Sequence, residues 1–185
     1  HKATKFPVHR WLRRGLFFSQ RDLDQLLTAY EKDEPIFMYT GRGPSNGMHL
    51  GHCVPFEFTK YLQEAFGAIL VIQMSDDEKY LFRKEEHPPE YYHDLAYENA
   101  RDIISIGFNV NKTYIFANSE EVTRNPTLAK NALLMLGDSS ARGKAIEDIF
   151  GLDLTNTAGQ LVWPIYQSLP AYSSTFKNKL FCRDT

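Results

Sequence analysis

The sequence predicts an α/β fold with a parallel sheet and helices on both of its faces. Three apolar runs, at residues 36–39, 69–72 and 113–117, each have the length of a strand. Segments with helical periodicity separate them, at about residues 48–66 and 89–106. The order strand, helix, strand, helix, strand is typical of a parallel sheet with right-handed crossovers.

Length and composition limit what the chain can be. It has 185 residues, of which 43% are hydrophobic and 24% are charged, and its formal net charge is −2. This suits one full domain and the edge of a second. No apolar stretch approaches the ~18 residues that span a membrane. The small net charge excludes nucleic-acid binding by bulk electrostatics, although not by a local patch.

The cysteine content predicts a reducing compartment. The two cysteines, Cys53 and Cys182, cannot build a disulfide framework. The chain also lacks an initiating Met, so we expect it to begin inside a longer gene product.

Residues 1–34 are expected to form an N-terminal extension of the catalytic domain. Within it, Ser19 and Asp22 fit the pattern of a helix cap. An apolar stripe with helical spacing follows, and Pro35 ends it. The stripe consists of Leu23, Leu26, Leu27 and Tyr30.

The first apolar run leads into a Gly-, Pro- and Ser-rich stretch, residues 40–47, which predicts a loop. The helix after it contains Pro55, which is expected to kink the helix or to mark a tight first turn. The second run, residues 69–72, contains no polar residue, as in a parallel strand that is covered on both faces. Further helices are predicted at about residues 127–136 and 141–150.

The loop does not carry the familiar nucleotide-binding patterns. Gly41, Gly43 and Gly47 give GxGxxxG, which is not the dinucleotide spacing, and the chain has no P-loop. Instead, His49 and His52 flank Gly51 at the predicted helix start. There they would lie on one helix face, near free backbone N–H groups and the positive end of the helix dipole, which suits a phosphate chain.

A second candidate segment, Gln73–Lys79, follows the second strand. Ligands of open α/β sheets bind beyond the carboxyl ends of the strands. Side chains from both strand ends are therefore expected to converge there with the histidines: Tyr39, Arg42, Gln73, Glu78 and Lys79. Asp76 and Asp77 fit an ordinary helix N-terminus equally well, and Glu78 less so.

Four stretches resemble class I aminoacyl-tRNA synthetases, and most closely the eukaryotic-type tryptophanyl-tRNA synthetases. They are Leu12–Arg21, Tyr39–His52, Val71–Leu81 and Gly159–Pro170. The whole class shares the His49–His52 motif, whereas the loop and the QMSDDEKYL stretch are more specific. The resemblance implies a Rossmann-like catalytic domain over residues 35–185.

The resemblance also implies a two-step reaction in protein synthesis. Tryptophan attacks the α-phosphate of ATP, with Mg²⁺ sharing the phosphate charge, and the acyl group then passes to tRNA(Trp). Carried over by motif, the catalytic residues are His49, His52 and Lys79. The ATP-binding residues are Arg42, Gly43, His49, Gly51, His52 and Lys79. The tryptophan-binding residues are Tyr39, Gln73, Glu78 and Gln167. A metal site formed by the protein itself is not implied.

Alternative functions stay open at this point. A tyrosyl-tRNA synthetase would carry an Asp three residues after Gln167, where this chain has Pro170. A small-molecule nucleotidylyltransferase also uses H-x-G-H on a Rossmann-like sheet. A truncated, non-catalytic binding module is the third alternative.

The resemblance implies more than this chain contains. The chain shows no KMSKS-like loop and no anticodon-binding domain, so we expect an incomplete catalytic domain with little activity alone. Relatives in the family are cytoplasmic homodimers, and we expect the same here, without membrane association.

Overall fold

A computed structural model describes residues 4–83, 87–138 and 142–176 and confirms the α/β class. Its described part contains a parallel sheet in the order β1-β2-β3. The strands are β1 Phe37–Arg42, β2 Ile69–Met74 and β3 Thr113–Ala117. All three strands run in one direction, so their carboxyl ends lie at one edge of the sheet.

Helices connect the strands and surround the sheet. They are α1 Arg10–Arg13, α2 Leu23–Glu31, α3 Leu50–Phe66, α4 Asp76–Arg83, α5 Pro89–Ser105, α6 Asn118–Arg124, α7 Pro126–Leu136, α8 Gly143–Phe150 and α9 Ala158–Ser168. Short 3₁₀ turns lie at Val110–Lys112, Leu169–Ala171 and Ser173–Phe176. In the described ranges, no helix is long and apolar enough to cross a membrane.

Both faces of the central strand are buried, as its apolar sequence predicts. On one face, Leu70, Ile72 and Met74 pack against Phe56 of α3 and Ile103 of α5. The other face buries Val71 against the aromatic rings of Phe116 and Phe176. Because side chains pack on both faces of β2, the residues at its carboxyl end have a rigid support.

The first strand is longer than predicted. The expected loop at residues 40–47 begins only after Arg42, because Gly41 pairs with Gln73 in the parallel ladder. A Cβ at Gly41 would lie 2.8 Å from the Gln73 carbonyl oxygen, so glycine permits the close approach of the strands. The glycine that indicates a loop in the sequence therefore serves strand pairing.

The predicted cap of the N-terminal helix is wrong. Helix α2 begins at Leu23 after Asp22, which has a left-handed backbone and makes no side-chain cap bond. The Gln20 side chain accepts from the Leu23 N–H at 2.8 Å instead. Because the chain turns at Asp22, Ser19 lies too far before the helix to cap it.

Helix α3 starts two residues later than predicted and contains Pro55 in its interior. Five helical residues precede Pro55, so it does not mark the first turn. The predicted helix at residues 141–150 begins at Gly143, and residue 141 lies outside the described residues, as does Cys182. Helices α1, α4, α6 and α9 were not predicted as helices, although an acidic helix start was considered at Asp76.

The N-terminus of α9 offers a test of local stability. The Thr157 side chain accepts from the Gln160 N–H, and the Gln160 side chain accepts from the Thr157 N–H, which forms a capping box. We expect Thr157→Ala to lower the free energy of unfolding by about 1 kcal/mol, measured by urea denaturation. Thr123→Ala is the control, because the exposed Thr123 hydroxyl bonds only within its own helix. An equal loss in both variants would contradict this role of the cap.

Candidate functional site

The predicted site residues gather at the carboxyl edge of the sheet. Loop 43–49 follows β1, α4 follows β2 and α6 follows β3. Since the three strands are parallel and adjacent, these segments lie side by side.

Gly43 brings the loop against the start of α4. A Cβ at this position would lie 2.7 Å from Lys79 Cε and 3.2 Å from Glu78 Oε2. The Ser75 hydroxyl donates to Glu78 Oε2 at 2.7 Å and holds that carboxylate in place. The two motifs predicted to converge are therefore in contact through Gly43.

The two histidines lie side by side at the N-terminus of helix α3 and cap it. His49 is the N-cap, with an extended backbone, and His52 is the third helical residue. His49 Nδ1 accepts from the Gly51 N–H at 3.2 Å, and His52 Nδ1 accepts from the His49 N–H at 3.5 Å. These N–H groups, expected to be free for phosphate, are thus bonded by the imidazoles.

The cap determines which ring nitrogen can meet a ligand. A neutral imidazole that accepts at Nδ1 carries its proton on Nε2. The two rings are in contact, with centroids 3.8 Å apart and planes tilted by 31°, and His49 is exposed while His52 is half-buried. Burial, followed by the nearby charges of Arg42 and His49, lowers the pKa of His52 and favours its neutral form. Both rings can therefore offer Nε2–H donors.

Most of the hydrogen bonds of Arg42 stabilise the loop that follows β1. The buried guanidinium donates from Nε to Asn99 Oδ1 at 2.8 Å and from Nη2 to the Ser45 hydroxyl at 2.7 Å. Nη1 is buried and has no hydrogen-bond partner among the described residues. Burial lowers the pKa of Arg42. One guanidinium nitrogen is left for an anionic ligand.

Sequence reasoning missed Asn99, which organises this loop from helix α5. Its amide accepts from the Ser45 N–H at 3.1 Å and donates to the Ser45 carbonyl at 2.8 Å. It occupies the buried stripe of α5 together with Tyr92, Ala96 and Ile103. A polar residue at a stripe position of a helix was the signal that could have identified it.

A chain of hydrogen-bonded polar side chains runs from the half-buried Tyr39 through the core to the half-buried Asp77. The Tyr39 hydroxyl lies 2.6 Å from Gln73 Oε1 and 3.0 Å from the carbonyl oxygen of Gln167. Gln73 Nε2 donates to Asn118 Oδ1 at 2.9 Å, and Asn118 Nδ2 donates to Asp77. Gln73 and Asn118 are almost completely buried. We call these four side chains, Tyr39, Gln73, Asn118 and Asp77, the polar relay.

Burial raises the pKa of the residue at each end of the polar relay. It raises the pKa of Tyr39 to about 12, with a further contribution from the charge of Asp77. It also raises the pKa of Asp77 to about 6, against the opposing hydrogen bond from Asn118. Asn118 was missed in the sequence, although its place directly after β3 put it at the expected ligand edge.

Helix α9 closes the site from the side. The side-chain oxygen of Gln167 and the indole N–H of Trp163 are buried without hydrogen-bond partners among the described residues. Gln160 Nε2 donates to the Leu81 carbonyl at 2.9 Å and holds α9 against α4. Its role was undecided from the sequence, and the contact is a structural one.

The arrangement combines two chemical environments. One side presents imidazole, guanidinium and ammonium groups, which suit a phosphate chain. The other side presents aromatic rings and buried hydrogen-bonding groups, which suit a flat side chain with a polar edge. Among the residues that the structure describes, no group of three or more His, Cys, Asp or Glu side chains could hold a metal ion.

Comparison with known proteins gives consistent matches. The chain is 46% identical over 176 residues to the cytoplasmic tryptophan–tRNA ligase of Rattus norvegicus, covering 95% of this chain and 36% of that relative. The tryptophanyl-tRNA synthetase structure from Giardia lamblia aligns with a TM-score of 0.89 at 40% identity, over 98% of this chain and 45% of that one. The structure from Plasmodium falciparum aligns with a TM-score of 0.87 at 44% identity, over 96% and 48%. No protein-family model matches the chain.

Over 98% of its length, this chain shares the fold of a solved tryptophanyl-tRNA synthetase. The curated relatives that it matches are named tryptophan–tRNA ligases, as the resemblance of the four stretches predicts. The chain spans less than half the length of each of these three relatives, so it corresponds to one part of them.

Proposed function

We propose that the chain is the N-terminal catalytic portion of a tryptophan–tRNA ligase. The natural protein would activate L-tryptophan with ATP and transfer it to tRNA(Trp). The contact of Gly43 with Glu78 and Lys79 is the observation that carries the proposal, because it joins the loop with the segment that follows β2. Residues 1–34 would be the extension of this domain, and residues 35–185 its incomplete nucleotide-binding part.

The phosphate side would stabilise charge during adenylate formation. A carboxylate oxygen of tryptophan bonds to the α-phosphorus, and the bond to the leaving pyrophosphate breaks. His49 and His52 would donate from Nε2 to phosphate oxygens, and Lys79 would neutralise their charge. Arg42 would contribute its unbonded Nη1, and the Gly43 backbone would leave room for the phosphates.

Gly51 would let the adenine lie against the start of helix α3. A Cβ there would be 3.0 Å from His49 Cε1, so a side chain would press on the imidazole. Mg²⁺ would enter on the ATP phosphates, because this cation keeps most of its waters and binds through substrate phosphates. The cationic donors and the hydrogen-bonded carboxylate of Glu78 suit a triphosphate that carries its own metal ion.

The other side would hold tryptophan. Tyr39 and Gln73 would lie beside the indole N–H. Glu78 and Gln167 would bind the polar groups of the amino acid. A buried acceptor favours tryptophan over a substrate that leaves the acceptor unpaired. Pro170 is buried and offers no carboxylate for a phenol, which argues against tyrosine as the substrate.

We place the protein in the cytoplasm, because its relatives are named cytoplasmic. We also propose a homodimer, since large apolar side chains are exposed on α7, α8 and the loop after α8. They are Leu133, Leu134, Leu136, Ile149, Phe150 and Leu154. Sedimentation velocity of the natural full-length protein tests this, and a monomer would exclude it.

Pyrophosphate exchange by the natural full-length protein tests the proposed activity. We expect exchange that depends on tryptophan and is not supported by tyrosine or by phosphorylated cofactor precursors. Exchange with a cofactor precursor alone would favour a nucleotidylyltransferase. Full activity of the 185-residue chain by itself would contradict the proposal that its nucleotide-binding part is incomplete.

Gly43→Ala tests the contact that carries the proposal. The added methyl group must displace the Lys79 side chain, whose Cε would lie 2.7 Å away. We expect the exchange rate to fall about 10- to 10²-fold, while the melting temperature stays the same because a lysine end moves easily. Gly47→Ala is the matched control in the same loop, since its added Cβ meets nothing within 4 Å. Equal rates in the two variants would contradict the contact's role.

A further inference from the structure

The polar relay ends in the carboxylate of Asp77, and this carboxylate fixes the direction of the hydrogen bonds at the Tyr39 end. An ionised carboxylate only accepts hydrogen bonds, whereas a side-chain amide both donates and accepts. Asp77 accepts from the Glu78 N–H at 2.9 Å with one oxygen and from Asn118 Nδ2 with the other. Because both oxygens accept, the Asn118 amide must direct its NH₂ toward Asp77.

The orientation of the Asn118 amide determines the orientation of the Gln73 amide, which is the next group in the polar relay. With its NH₂ on Asp77, Asn118 directs Oδ1 toward Gln73, where it accepts from Nε2 at 2.9 Å. Gln73 must then present Oε1 toward Tyr39, and the hydroxyl lies 2.6 Å from it. The buried positions of Gln73 and Asn118 exclude water that could satisfy a reversed amide.

We propose that Asp77 is a positioning residue that sets the hydrogen-bond polarity of the groups facing the indole. The inference rests on the tryptophan site proposed above. Asp77 keeps the acceptor oxygens of Gln73 and Tyr39 toward the substrate, so that an indole N–H finds a partner. Asp77 itself touches no substrate and acts through Asn118 and Gln73.

Asp77→Asn reverses the relay in a defined way. The Glu78 N–H is a backbone donor that cannot turn, so the introduced amide must direct its oxygen there and its NH₂ toward Asn118. Asn118 and then Gln73 would have to flip, and Gln73 would present its NH₂ to Tyr39. The indole N–H would lose the Gln73 acceptor.

The substrate readout separates this polarity from a structural effect. In the full-length protein, we expect Asp77→Asn to raise KM for tryptophan roughly 10- to 100-fold, with kcat little changed. KM should stay nearly constant for the tryptophan analogue in which sulfur replaces the indole N–H. Asp94→Asn is the control, because this exposed carboxylate lines the same cavity as Asp77. An equal rise of KM for both substrates would overturn the inference.

A paired substitution supplies the rescue. In Asp77→Asn combined with Asn118→Asp, the amide at position 77 donates to the new carboxylate, which also accepts from Gln73 Nε2. The original direction of Gln73 returns, so we expect tryptophan selectivity over the sulfur analogue to recover. No recovery in a folded double variant, shown by an unchanged circular dichroism spectrum, would contradict the relay.

The unaltered protein provides a test that needs no variant. Burial raises the pKa of Asp77 to about 6, and protonation makes one oxygen a donor, as in Asp77→Asn. KM for tryptophan should therefore rise as the pH falls through about 6, and KM for the sulfur analogue should not. The titratable and hydrogen-bonding groups that face Asp77 come from all the elements around it: Asp76, Glu78 and Tyr80 on α4, Tyr39 on β1, Asn118 and Ser119 on α6, and Glu90, His93 and Asp94 across the cavity on α5.

Comparing the two substrates cancels the titration of those other groups, since both substrates experience it equally. Parallel pH profiles for the two substrates would overturn the inference. If the unaltered protein showed no tryptophan-dependent exchange at any pH, the proposed function itself would fail, and the inference would fail with it.

Discussion

Replacing His49 is expected to slow tryptophan-dependent pyrophosphate exchange on the order of 10²-fold, the cost of removing one donor to a developing charge. The side chain has two roles, since Nδ1 caps helix α3 and Nε2 is free to donate. His49→Asn separates them, because asparagine is a good N-cap and lacks the imidazole donor. We therefore expect His49→Asn to unfold like the unaltered protein in urea and to lose the exchange activity.

His49→Ala completes the comparison, because it removes both the cap and the donor. It should lose activity to the same extent and also about 1 kcal/mol of stability. If His49→Asn kept the full exchange rate while His49→Ala lost it, the histidine would act only as a cap. That result would remove His49 from the catalytic residues.

Lys79→Gln is the second substitution with a large expected effect. The half-buried ammonium group lies beside Gly43, at the junction of the loop and helix α4. Removing one such charge from the phosphates should lower kcat on the order of 10²-fold, while KM for tryptophan changes little. Steady-state pyrophosphate exchange at varied tryptophan concentration gives both constants.

Lys130→Gln is the control for loss of a lysine charge, since Lys130 is exposed on α7, away from the loop. It should leave both constants unchanged. A rise of KM for tryptophan in Lys79→Gln without a fall in kcat would place Lys79 at the amino acid rather than at the phosphates.

The fold could be predicted because the signals for it are local. The run at residues 69–72 is apolar without interruption, and β2 is buried on both faces as that pattern requires. The end of β1 could not be predicted, since glycine is depleted in strands and Arg42 is not among the residues that favour them. Their conformation depends on pairing with Gln73 and Met74, which lie more than thirty residues further along the chain.

The site could be predicted only in part, because only some of its residues are indicated by local sequence signals. The residues that bear the motifs, such as His52 and Lys79, could be chosen because the motifs are contiguous in sequence. Asn99 and Asn118 were missed, since each acts on a residue that lies far away in the chain. The dual role of His49 as a helix cap was also missed, because Ser, Thr, Asp and Asn are the usual caps.

A structure of the full-length protein with a non-hydrolysable tryptophanyl-adenylate analogue tests the central claim most directly. The quantities to measure are the distances from the Nε2 atoms of His49 and His52 to the phosphate oxygens, and from the indole nitrogen to Tyr39 and Gln73. We predict hydrogen-bond distances for both pairs in one shared cleft. Imidazoles that face solvent with the analogue bound elsewhere, or an indole far from Gln73, would contradict the account.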